Sequence, residues 1–253
     1  MTGPLRAALS AVLLLAAAGP AHDAAAADRA VRLETPPPLR QDIDAMPRIA
    51  DPADDAERRI NAALTRLDAD VLKARKDCKG NDWSRTVAAP MAGPGFLSLT
   101  VTDSFFCDGA AHPNSSLYSI VYDLAAGKPV DWPLLLPASL VGKQALEEQS
   151  DGARIVTLSS PRLFQLYMQG YTAGGATGDD LKQCKEAVTD MAAGGPPPMM
   201  VWLDAGQGGL AVQFDLPHVV KPCEQAVVIP ARTLREAGAS AALIKALATA
   251  GKP

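Results

Sequence analysis

Aromatic residues make up only 5% of this 253-residue sequence, and its three tryptophans, Trp83, Trp132 and Trp202, lie far apart. That scatter excludes a visible sugar-stacking platform and reads instead as core or edge packing. Positive charge is not in excess: the formal net charge is −4, and without a basic stripe nucleic acid is excluded as a partner. No apolar stretch reaches the roughly 20 residues that a bilayer span requires. Local catalytic signatures are missing as well. There is no G-x-S-x-G elbow, no H-E-x-x-H and no phosphate-cradling G-x-x-x-x-G-K-[ST]. Asp123 with Asp131, or Glu147 with Glu148, could be offered as glycosidase carboxylates. Spacing along the chain fixes no distance in space, so they are read as solvated charges.

What is present begins with an export signature. Arg6 precedes an apolar run from Ala7 to Gly19, Pro20 breaks any helix, and Ala25-Ala26-Ala27 supplies small residues for cleavage. Residues 1–27 are therefore expected to be a signal peptide, with the mature chain periplasmic or secreted and without a membrane span. Four cysteines, Cys78, Cys107, Cys184 and Cys223, suit an oxidising compartment. They contain no C-x2-4-C pair of the kind zinc sites use, so neither a metal nor a cofactor is expected. Four cysteines allow three pairings. The one expected is Cys78–Cys107 with Cys184–Cys223, each closing a loop of ~30–40 residues worth ~3–4 kcal/mol on the chain-entropy model.

The organisation predicted is α+β. Residues 28–50, with Pro36-Pro37-Pro38 and Pro47, read as a flexible linker before a single domain over 51–253. Asp51 as N-cap and Pro52 open an amphipathic helix. Its apolar positions Ile60, Leu64, Leu67, Val71 and Ala74 alternate by four and three. Three strands follow, Trp83–Ala88, Phe96–Phe106 and Leu117–Leu124, read as an antiparallel meander. Helices are expected over Ser139–Gln149, Pro161–Gln169 and Asp179–Met191. Strands return at Met199–Leu203, Leu210–Phe214 and Ala226–Ile229, before a last helix from Arg232 to Ala250. Strands, helices, strands and a closing helix without βαβ alternation define the class.

The densest cluster of unusual residues is Cys107-Asp108-Gly109-Ala110-Ala111-His112-Pro113-Asn114, a loop between two predicted strands. The other histidine beyond the leader is His218, in Leu216-Pro217-His218-Val219. With Asp108, Asp123 or Asp215 the two could in principle make an acid–base or metal site. The plainer reading is that His112 props the turn through backbone hydrogen bonds. The residues put forward for ligand contact are Asp108, His112, Asn114 and His218, and none is put forward as catalytic.

At this loop the sequence resembles an extracytoplasmic domain family of unassigned function. That family occurs at the C-terminus of a lysozyme-sensing anti-sigma factor and beside some peptidoglycan deacetylases. The pattern is a strand, a Gly-Gly-Ala-His-Pro/Gly turn, a Tyr-containing strand and a Phe/Tyr-Asp-Leu-x-x-Gly-Lys turn. Here it reads Gly109-Ala110-Ala111-His112-Pro113, Tyr118, and Tyr122-Asp123-Leu124-Ala125-Ala126-Gly127-Lys128. Gly209-Leu210, Phe214, Val227-Val228-Ile229-Pro230 and Leu234 are similar to the family's closing strands and helix start. The departures are Ala110 for the second glycine, Leu216-Pro217-His218 for a Tyr/Glu-containing segment, and Cys223 near a usual small residue. The resemblance implies an envelope-associated α+β domain, but with these departures lysozyme recognition is not carried over from it. The partner expected is peptidoglycan or a lysozyme-like protein. The function expected is binding or sensing without catalysis. The alternatives are a hydrolase or deacetylase using His112, and a purely structural envelope protein.

Overall fold

The computed structural model describes residues 30–79 and 82–250, so the signal-peptide reading of 1–27 lies outside the described residues. The chain is α+β. Two short strands, β1 (Leu33–Glu34) and β2 (Arg48–Ile49), pair antiparallel. The framework is a four-stranded antiparallel sheet in the order β3 (Asp82–Ala92), β4 (Phe96–Phe106), β5 (Asn114–Asp123) and β6 (Lys128–Pro129). Helix α1 (Asp55–Cys78) covers one face. Alternation along the strands assigns the faces. Leu97, Leu99 and Val101 with Tyr118, Ile120 and Tyr122 pack against Ile60, Leu64 and Leu67. Phe96 and Val121 point to the other side, into a second core built around β9 (Met200–Asp204) and β10 (Gly209–Gln213).

The buried serines on that second face explain how β9 docks. Strand β9 pairs with β10, and β10 with β11 (Val227–Pro230), which leaves one edge of β9 facing the large sheet. The hydroxyl of Ser98 accepts from Leu203 N at 3.1 Å, and that of Ser119 donates to Val201 O at 3.0 Å. Edge groups that would otherwise be buried without partners are thereby satisfied.

Several boundaries differ from the sequence expectation. Helix α1 is capped by Asp54, not Asp51. Asp54 Oδ1 accepts from Glu57 N at 2.9 Å, and Glu57 Oε2 accepts from Ala53 N at 2.7 Å. Together the two bonds satisfy backbone donors on both sides of the cap at Asp54. Residues 30–50 are not a solvated tether. Ile43, Met46 and Ile49 are buried, and the segment lies on the edge of β3 through Arg85 N to Asp42 O and Asp44 N to Arg85 O. Asn61 binds both Ile49 backbone groups, and Asp68 accepts from Met46 N at 2.8 Å.

The helix expected over Ser139–Gln149 is instead a single turn, Ala138–Val141, followed by a hairpin of β7 (Lys143–Glu148) and β8 (Arg154–Ser159). Gly142 (φ +58°) makes the switch possible, because a Cβ there would fall 2.2 Å from Ser159 O. The last helix is two helices, Ala231–Glu236 and Ala241–Ala250, broken where Gly238 adopts φ +96°.

Both disulfides form as expected: Cys78–Cys107 ties the end of α1 to the end of β4, and Cys184–Cys223 ties the helix Gly178–Met191 to the turn His218–Cys223. All three tryptophans are buried.

A cluster of charge lies inside the framework. Arg85, Asp103 and Asp151 have side chains at most 1% exposed. The Arg85 guanidinium donates to Asp103 at 2.8 and 2.7 Å and also to Asp151. Trp83 Nε1 donates to Asp103, Tyr118 Oη donates to Asp151 at 2.6 Å, and Asp151 Oδ1 accepts from Ala153 N. These bonds join β3, β4, β5 and the β7–β8 turn.

Burial raises the Tyr118 phenol well above its usual value, against the opposing pull of Arg85, and raises Tyr122 to about 12. A group whose folded pKa is raised keeps its stabilising effect below the unfolded value and loses it as pH rises. Stability is therefore expected to hold up to about pH 10. Between about pH 10 and 12 it should fall by up to about 1.4 kcal/mol per pH unit for each of the two tyrosines. Denaturant titrations at a series of alkaline pH values check this, and a flat profile across that window would contradict the burial of both phenols.

Candidate functional site

The loop between β4 and β5 and the segment after β10 form two walls of one open groove of about 970 Å³. The first wall carries Ala110, Ala111, His112, Pro113, Asn114 and Ser115, and the second carries Asp215 to His218 and Lys221. The floor includes Ser104 and Phe105 from the end of β4. Each wall is anchored by a disulfide at its root. The first wall follows Cys107, whose neighbour Asp108 donates its backbone N–H to Cys78 O. The second wall ends at Cys223, bonded to Cys184. Turn chemistry shapes the rest: Ala110 N donates to Cys107 O, Gly109 adopts φ +83°, and the prolines Pro113 and Pro217 flank the two histidines.

His112 and His218 meet across the groove. Their rings stack with centroids 4.6 Å apart and planes 25° apart, and both residues are exposed. His112 Nδ1 lies 3.0 Å from Pro113 O. A carbonyl only accepts, so this contact places a proton on Nδ1. The backbone hydrogen bond expected of His112 is thus present, although the ring fills no core slot. Asn114 also lines the groove, whereas Asp108 is exposed and lies outside its lining.

The residue that the sequence reading missed is Lys221. Its ammonium reaches Ser115 O at 3.2 Å, Glu224 at 3.0 Å and Asp215, clamping one wall to the start of β5. Burial alone would lower the Lys221 pKa, but hydrogen bonds to Asp215 and Glu224 outweigh it and raise the value. Glu224 is also raised, by burial first, with Leu216 N–H and Lys221 pulling the other way. Lys221 is therefore a neutralised strut and no free cation. A lysine three residues before a glutamate carries no distinctive sequence signal, and its other partners are Ser115 O at the start of β5 and Asp215.

Other residues singled out earlier have structural duties. Asp123 Oδ1 accepts from Ala125 N and Ala126 N, which makes it the cap of the β5–β6 turn. Gly127 closes that turn at φ +63° against the backbone of Ala56, where a Cβ would sit 2.6 Å away. Glu147 accepts from Thr157 Oγ1 at 3.3 Å across the hairpin. Among the described residues no three His, Cys, Asp or Glu side chains gather as a metal cage, and no helix is long and apolar enough to cross a membrane.

The fold and groove define an α+β domain with a disulfide-anchored surface cleft. No family model and no curated protein matches the sequence. The solved structures it is similar to include a DUF3298 family protein from Pseudomonas aeruginosa, at TM-score 0.49 and 14% identity over 86% of this chain and 98% of that one. A DUF3298 family member from Bacteroides fragilis aligns at TM-score 0.43 and 14% identity, over 75% of this chain and 68% of that one. These neighbours belong to an uncharacterised domain family.

Proposed function

We propose that this protein is an exported binding or sensing domain of the cell envelope, whose ligand is a cell-wall glycan held in the groove between the His112 loop and the His218 turn. The observation that carries the reading is the groove itself: two disulfide-rooted walls present exposed imidazoles, Asn114 and Ser115 that the fold does not use for its core. Lys221 is neutralised by Asp215 and Glu224, so the cleft carries little net charge and suits a largely uncharged polymer with hydroxyl and amide groups. Two disulfides fit folding in an oxidising, extracytoplasmic compartment. Binding is favoured over hydrolysis or deacetylation because, among the described residues, no carboxylate hydrogen-bonds either imidazole to orient it as a base. A second reading places an envelope protein, such as a lysozyme-like hydrolase, in the same cleft.

The test compares two exposed neighbours. Asn114→Ala is expected to weaken retention on insoluble peptidoglycan by about fivefold or more, while Asp108→Ala, outside the lining, leaves it unchanged. Equal retention of both variants and the parent would place the contact surface elsewhere.

A further inference from the structure

We infer that His112 and His218 together form a two-imidazole site for a borderline divalent transition metal, open on its groove side. The pair has the chemistry for it. Imidazole nitrogen is a preferred donor for Cu(II), Ni(II) and Zn(II), and two side chains from distant parts of the chain stand 4.6 Å apart, centroid to centroid. Two metal–nitrogen bonds of about 2.0–2.1 Å each let the donor nitrogens lie up to about 4 Å apart. Stacked rings aim their in-plane lone pairs side by side, so chelation requires the two exposed rings to turn about their side-chain bonds until both lone pairs meet one ion.

The surroundings prepare the donors. The Pro113 carbonyl holds the Nδ1 proton of His112, which fixes the tautomer and leaves Nε2 as the ligating atom, as outer-shell carbonyls do at metal sites. The disulfides Cys78–Cys107 and Cys184–Cys223 anchor the two segments, so less chain freedom is lost on chelation. Charge does not oppose a dication: Lys221, which lines the same groove, is paired with Asp215 and Glu224. Two protein ligands leave further coordination positions to water or to carbonyl and carboxylate oxygens of whatever enters the groove. The inference goes beyond the binding role proposed above and does not depend on it.

Isothermal titration of Cu(II), with Ni(II) and Zn(II) alongside, into the oxidised protein purified without a histidine tag tests the site. One Cu(II) per chain is expected, bound more tightly than Ni(II) or Zn(II). His112→Ala and His218→Ala should each weaken it by more than the roughly 10–100-fold that loss of an outer-shell partner costs, without changing the melting temperature. The double variant H112A/H218A gives the background. Metal binding by the parent no tighter than by this double variant overturns the inference. If that result comes with retention on peptidoglycan intact, the metal site fails and the binding role stands.

Discussion

Reduction of both disulfides is expected to unfold the protein or leave it on the edge of unfolding. The loops closed by Cys78–Cys107 and Cys184–Cys223 span 29 and 39 residues, and on the chain-entropy model each bond is worth about 3.5–4 kcal/mol. Together that is about 7 kcal/mol, comparable to the whole stability of about 5–15 kcal/mol typical of a folded domain. The melting temperature should drop by about 15 °C or more, followed in a thermal scan with and without reductant. The damage should be local first. Each bond roots one wall of the groove, so ligand retention should disappear before the far-ultraviolet signal does. Unchanged melting in reductant would show that the two cores hold the walls unaided.

Arg85→Met is expected to destabilise by about 3–5 kcal/mol, the usual consequence of removing one partner from a buried ionic cluster. The substitution leaves Asp103 and Asp151 as buried carboxylates facing each other without their shared cation. For a chain of this length that corresponds to a fall of about 6–20 °C in melting temperature. Replacing the three charged residues together, with Asp103→Asn and Asp151→Asn added, should recover part of the loss, because no charge then remains unpaired. Denaturant midpoints of the single and triple variants decide it. A single variant within about 1 kcal/mol of the parent would mean that water reaches the cluster.

Helix α1 and strand β4 were legible in the sequence for the same reason: each buries one face against a partner, and the alternation of Ile60, Leu64, Leu67 and Val71, or of Leu97, Leu99 and Val101, records that face. The hairpin at 143–159 was not. Its first strand, Lys143–Glu148, is mostly exposed and rich in helix-favouring residues. What makes it a strand lies elsewhere, in pairing with β8 and in the Leu158–Met199 backbone bonds that tie β8 to the start of β9. Residues 30–50 were hidden likewise, because the three-residue spacing of Ile43, Met46 and Ile49 fits neither a strand's alternation nor a sustained helical stripe, and the segment is held by partners on α1 and β3.

The candidate site divides in the same way. His112, Asn114 and His218 were visible as unusual residues in turns, and both histidines stood out because so few exist. Their meeting across one groove, the exclusion of Asp108 from it and the clamp by Lys221 depend on tertiary geometry. Tyr118 and Asp123, both in the motif that carries the family resemblance, are framework residues: one locks Asp151 and the other caps a turn. His112 is an exposed member of that motif and lines the groove, so it is where recognition is expected to reside.

The most direct test of the binding role is co-sedimentation of the purified, oxidised protein with insoluble peptidoglycan, beside a panel of immobilised lysozymes, with His112→Ala run in parallel. Retention of the parent on peptidoglycan, lost by His112→Ala at unchanged melting temperature, is the expected result. Retention on lysozyme alone would move the ligand to the protein class. No retention on any bait, with a large drop in the melting temperature of His112→Ala, would make His112 a structural residue and contradict the account.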